Sequence, residues 1–129
     1  MQDIKNSEEY KSLLARANYD DLTKVLNRRA GRERLDNLLE KARGERKMLV
    51  VSLCDVNDLK QINDRYGHRE GDNMLRYVAS AMSREMKEND ILFRLSGDEF
   101  AMAFYNENQR NAERRMQDIL ALSLIHISE

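Results

Sequence analysis

Two acidic points at the ends of apolar runs constrain this chain more than any other feature. The first is Leu49-Val50-Val51-Ser52-Leu53-Cys54-Asp55, an apolar stretch closed by a carboxylate. The second is Arg94-Leu95-Ser96-Gly97-Asp98-Glu99-Phe100, two short apolar runs joined by a turn that carries two more carboxylates. A run this short, with a Val-Val pair, predicts a buried central strand rather than a helix. The turn has the composition of a β-hairpin tip. On one sheet, Asp55 leaves a strand end and Asp98 sits on the hairpin, so residues far apart in sequence can meet. Two converging carboxylates suit a hard cation, Mg²⁺ above all, and Mg²⁺ usually arrives with substrate phosphates.

The 129 residues predict one domain with a modest core. With a formal net charge of −1, no broad basic field argues for a nucleic-acid polymer or a membrane, so a phosphate ligand must be held by a few local groups. Cys54 lies inside an apolar run and reads as a small buried hydrophobe. As a lone cysteine it excludes an internal disulfide framework and fits a reducing, cytoplasmic setting. Neither a signal peptide nor an apolar stretch of membrane-spanning length stands out.

Along the chain, Tyr10, Leu13, Leu14 and Ala17 fall at helical spacing and predict a helix over residues 7–18 with a narrow apolar stripe. It is either a surface helix packed on its own domain or the end of a linker helix that pairs with a second copy. Leu22, Val25 and Leu26 form a short apolar face that Asn27-Arg28-Arg29 interrupts. A longer helix then places Leu35, Leu38, Leu39 and Ala42 inward and stops at Gly44. Arg28, Arg29, Arg32 and Arg34 read first as a solvated face and second as cations near a phosphate site.

After Asp55, one of the last members of Val56-Asn57-Asp58 caps a short helix bearing Leu59 and Ile62. Residues 63–71 read as a loop with two glycines, and Asp72 caps a helix with Leu75, Val78, Ala79, Met82 and Met86 at core spacing. Strands over 91–95 and 100–105 follow, then a helix over 106–120 with Ala112, Met116, Ile119 and Leu120 inward. Residues 122–127 alternate weakly and suggest one more strand or an unnatural end. The pattern fits an α+β fold, a mixed sheet with helices on one face.

Several sites are excluded. An EF-hand loop starting at Asp55 fails, because Leu59, Lys60 and Tyr66 occupy the places of an oxygen ligand, a glycine and a bidentate glutamate. There is no Walker loop, no dinucleotide fingerprint, and no serine in an elbow context to accompany His68. The hairpin tip alone is a weak signal, more often structural than not. The ordered set is stronger: Asp55, Lys60, Asn63-Asp64, Gly67-His68, Gly71-Asp72 and Gly97-Asp98-Glu99-Phe100.

With these residues the sequence resembles the GGDEF domain, the catalytic module of diguanylate cyclases, whose palm-like fold (ferredoxin-like, shared with nucleotide cyclases) is expected here in a C-terminally shortened form. The resemblance runs from Asp20-Asp21-Leu22-Thr23 and Asn27-Arg28-Arg29, through Asp55 to Asp72, to Ser96–Phe100. It implies a linker helix over 1–18, an incomplete catalytic domain over 19–121 and an atypical tail over 122–129. It further implies that Asp55, the Val56 carbonyl and Asp98 hold Mg²⁺, for which Mn²⁺ can substitute, with Glu99 assisting. Asp98 is the implied base for an attacking 3′-hydroxyl, and Lys60 the phosphate-neutralising cation. Asn63 and Asp72 are implied to read the guanine edge, with His68 near the same ligand and Gly97 letting the turn approach the triphosphate. Each subunit of a homodimer then holds one GTP, and the pair yields cyclic di-GMP and pyrophosphate. A sensor domain is expected N-terminal to residue 1.

Departures from the family pattern sharpen the expectation. Ser96 replaces the first glycine of the signature, and its Cβ stands where the nucleotide passes. Asn57 replaces a second strand-end aspartate. The Arg-x-x-Asp product-inhibition motif is Lys87-Glu88-Asn89-Asp90, and lysine cannot reproduce the arginine fork. The family's further strand hairpin and final helix are not matched, which predicts an exposed sheet edge and less cationic help at the phosphates. The alternative reading is a degenerate or truncated module that binds GTP or a partner without turnover. A third is a dimerising fragment whose work is structural.

Overall fold

The computed structural model describes residues 7–56 and 59–128, with the side chains of Ala15 and of residues 120–128 outside that description. The expected cap at Asn57 or Asp58, the exchange at Asn57, and the inward side chain of Leu120 therefore lie outside the described residues. The elements are α1 (Glu8–Asn18), α2 (Arg28–Glu45), β1 (Leu49–Asp55), α3 (Leu59–Tyr66), α4 (His68–Arg84), β2 (Ile91–Ser96), β3 (Glu99–Tyr105) and α5 (Gln109–Ser128). No described helix is long and apolar enough to cross a membrane.

The strands form a three-stranded sheet in the order β1-β3-β2. Both named pairings are antiparallel, and the mixed character is confined to one parallel bridge, Leu26 to Phe93. Helices cover both faces rather than one. Leu92, Phe100, Met102 and Phe104 meet Leu75, Val78, Ala79 and Met82 of α4 and Ala112 and Ile119 of α5. Ile91, Phe93, Ala101 and Ala103 meet Ala30 and Leu38 of α2 on the other side. The continuous apolar runs of β2 and β3 explain this, because a strand that is apolar on successive residues must be covered twice.

The first strand is an edge strand, not the buried central one its composition suggests. It pairs with β3 alone among the described strands, and Val51 and Leu53 remain 47% and 66% exposed. α2 packs chiefly over β2, so nothing described covers those two side chains.

Other boundaries shift for local reasons. Asn27 caps α2 instead of interrupting it, its side chain accepting from the Ala30 amide at 2.9 Å. Gly44 stays inside α2; the helix ends at Arg46, which adopts the left-handed conformation (φ 56°). Leu39 faces outward, 43% exposed. The expected loop over 63–71 is an α3–α4 helical hairpin. Gly67 alone turns the chain, at φ 94°, a conformation that favours glycine. α5 continues through 122–127, where one more strand or an unnatural end was expected, because no Gly or Pro interrupts it.

A buried polar lock joins the sheet to α5. The Asp90 carboxylate accepts from the Lys87 and Tyr105 amides and from Arg115 Nη2, at 2.8, 3.0 and 2.7 Å. The Arg115 guanidinium also stacks 4.4 Å from the Phe104 ring centre.

Candidate active site

The antiparallel register places Asp55 opposite Glu99. Just beyond, the Val56 amide donates to the Asp98 carbonyl at 2.8 Å, so the strand end and the hairpin tip are fastened together by backbone. The tip itself is not a mirror-image turn, since neither Gly97 nor Asp98 has positive φ. A register shift between Arg94 and Ser96 supplies the twist instead.

The Asp55 carboxyl titrates above its usual value. Desolvation contributes first, a weak effect for a side chain this exposed. The specific causes are the Asp98 charge, a side-chain hydrogen bond with Asp98, and the Glu99 charge. Glu99 accepts a hydrogen bond from Ser96 Oγ at 2.6 Å. Among the described residues no three His, Cys, Asp or Glu side chains converge to cage a metal. A carboxylate pair is the donor set that suits Mg²⁺, which is bound through one or two carboxylates plus substrate phosphates rather than in an all-protein cage. The residues present therefore fit that ion.

The turn is anchored by a residue the sequence reading did not single out. Arg94 donates to the Gly97 carbonyl through Nε at 3.2 Å and Nη2 at 2.7 Å. Its Nη1 meets both Asp20 carboxylate oxygens at 3.1–3.2 Å. Asp20 also accepts from the Thr23 amide and hydroxyl at 2.8 and 2.7 Å. Burial pushes the Asp20 carboxyl up, but the Thr23 hydrogen bonds and Arg94 outweigh it and hold it below the usual carboxylate range. The signal was available: Arg94 is a lone charge in an apolar strand, and such a charge needs a partner. Arg29 was half right as a solvated residue, since it is exposed yet donates to the Ala17 carbonyl and Asn18 Oδ1 at the end of α1.

The remaining candidates sit on the helical hairpin. α3 carries exposed Lys60 and half-buried Asn63, while α4 carries exposed His68 and half-buried Asp72. Asp72 lies inside α4 and is not its cap, which is Gly67. Asn63 is pressed against Gly71, the residue before Asp72, so the hairpin brings Asn63 and Asp72 to neighbouring positions. A Cβ at Gly97 would meet nothing within 4 Å, so its lack of a side chain answers to no packing neighbour. The Cys54 thiol is half-buried and pushed up by desolvation and the Asp55 charge, which leaves it unreactive.

A family model described as "Diguanylate cyclase, GGDEF domain" matches residues 17–129. The chain is 39% identical over 95 residues to Diguanylate cyclase TpbB of Pseudomonas aeruginosa, covering 74% of this chain and 22% of that protein. It is 34% identical over 130 residues to Cyclic di-GMP phosphodiesterase PdeB of Shewanella oneidensis, covering 98% and 15%. This chain thus spans a small part of the curated relatives it matches. In three dimensions it is similar to the coiled coil and GGDEF domain of DgcB from Caulobacter crescentus in complex with c-di-GMP. There the TM-score is 0.82 at 29% identity, over 87% of this chain and 59% of that one.

Proposed function

The chain belongs to the GGDEF family of diguanylate cyclase domains, and we propose that it condenses GTP into cyclic di-GMP as one half of a homodimer. The observation that carries this reading is the meeting of Asp55 and Asp98. The Val56–Asp98 backbone bond brings them together across a long sequence separation, and the Asp98 charge acting on the Asp55 carboxyl marks their proximity.

The residues divide the work by chemistry. Asp55, the Val56 carbonyl and Asp98 would hold Mg²⁺, which when bound would supply positive charge against the reacting phosphates. Asp98 takes the proton of the 3′-hydroxyl as its oxygen bonds to the α-phosphate of the second GTP and pyrophosphate leaves; the reciprocal attack closes the ring and releases a second pyrophosphate. Lys60 lies exposed on α3, where its ammonium offsets charge on the phosphates. Asn63 and Asp72 offer an amide and a carboxylate to the guanine edge, His68 stands by the same ligand, and Gly97 leaves room for the triphosphate. One chain binds only one of the two reacting nucleotides, so turnover needs a two-fold partner. The exposed Leu13 and Leu14 of α1 suit that pairing.

A second reading, a module that binds GTP without turnover, is favoured by one observation. Glu99 is engaged by the Ser96 hydroxyl, which occupies one of its carboxylate oxygens. The test is incubation of the chain with GTP and Mg²⁺ or Mn²⁺, with cyclic di-GMP read by mass spectrometry. Product that disappears in Asp98→Ala is expected. GTP binding without product, restored to turnover by Ser96→Gly, supports the second reading.

A further inference from the structure

Gly71 is a buried glycine inside α4, where alanine would be the better helix former. Its place is explained by one neighbour. A Cβ there would lie 1.7 Å from Asn63 Oδ1 and 2.8 Å from Asn63 Cγ. The carboxamide of Asn63 therefore rests on the bare Cα of Gly71. Asn63 Oδ1 is buried and has no hydrogen-bond partner among the described residues. No hydrogen bond to that atom fixes the amide plane, so the wall that fixes it is the helix surface at Gly71.

We infer that Gly71 is a positioning residue for base recognition: its missing side chain is the notch that seats the Asn63 amide and sets the angle at which it meets a purine edge. The inference rests on the proposed role of Asn63 in reading guanine, and it adds a residue with no polar side chain to the specificity apparatus. A planar amide recognises a base through directed hydrogen bonds, so a rotated amide loses discrimination before it loses general nucleotide affinity. Any side chain at position 71 would push the amide out of its seat. Asp72 stays on the same helix and keeps its place.

The test is a double-mutant cycle read by calorimetric binding of GTP and ATP with Mg²⁺ to the full chain, with melting temperature beside it. Gly71→Ala is expected to weaken GTP binding by about tenfold while ATP binding stays as it was. Asn63→Ala is expected to give a similar loss. The double variant should lose no more than Asn63→Ala alone, because the new methyl fills the space the amide vacates. Should Gly71→Ala fail to fold, recovery of the melting temperature in the double variant identifies the same clash, and failure to recover overturns the inference. Unchanged GTP preference in Gly71→Ala, or strictly additive losses, overturns it while leaving guanine recognition intact. A wild-type chain that does not prefer GTP over ATP overturns the guanine reading itself, and this inference with it.

Discussion

Asp20 and Asp55 carry carboxyls shifted in opposite directions, and the signs have separate consequences. Asp20 is held low, so its contribution to stability is complete above the unfolded carboxylate value and is lost as pH falls through the lower folded one. Asp20→Ala should cost about 2 kcal/mol near neutral pH, the worth of hydrogen bonds to a charged group, and the difference from wild type should shrink below a pH of about 4. Asp55 is held high by its acidic neighbours, so its ionised form is disfavoured in the fold as pH rises through that value. Asp55→Asn should therefore raise the melting temperature at neutral pH without added divalent cation, and the gain should disappear in acid. Chemical denaturation and thermal melts across pH 3 to 8 measure both; equal pH profiles for the two variants would refute the assignment. Asp55, Asp98 and their meeting were legible in the sequence, because strand ends and turns announce themselves locally. That Arg94 needs a partner was legible too, but that the partner is Asp20 was not, because Asp20 is distant in sequence and reached only in the folded chain.

Among the elements, periodicity located every helix and strand of the middle of the chain but not their edges. Helix starts were misplaced at Asn27, whose side chain turns back to cap α2, and at Asp72, because α4 starts at Gly67 through backbone conformation with no side-chain cap for a polar residue to announce. β1 was taken as central because its apolar run looks the same whether or not a neighbour covers it. The burial difference between strands makes a direct prediction. Phe104 is fully buried against α4, α5 and Arg115, so Phe104→Ala should destabilise the chain by about 3–5 kcal/mol. Leu53→Thr, at an uncovered position, should change stability by no more than about 0.5 kcal/mol. Denaturant titration of the two variants decides it, and a large loss at Leu53 would show that something covers the β1 edge in solution.

For the whole molecule, the structural lock around Asp90 bears on feedback. Asp90 is nearly inaccessible, its side chain 1% exposed and paired with Arg115. Lys87 stands where the family motif has arginine, and it reaches Glu107 at 3.6 Å. With one member buried and the other lacking a planar fork, added cyclic di-GMP should inhibit weakly or not at all. Half-maximal inhibition at low micromolar product would contradict this. The fold as a two-sided α+β sheet and the acidic site are thus carried by the same residues, Phe100 and Met102 packing beneath the tip that holds Asp98 and Glu99. The central claim is that this tip and the end of β1 jointly take a divalent cation with a guanine triphosphate. The most direct measurement is calorimetric binding of 3′-deoxy-GTP, which cannot attack, with and without Mg²⁺, to wild type, Asp55→Ala and Asp98→Ala. Binding that requires Mg²⁺ and is lost in both variants is the predicted result. Equal binding with and without Mg²⁺, or binding that survives both substitutions, would contradict the account.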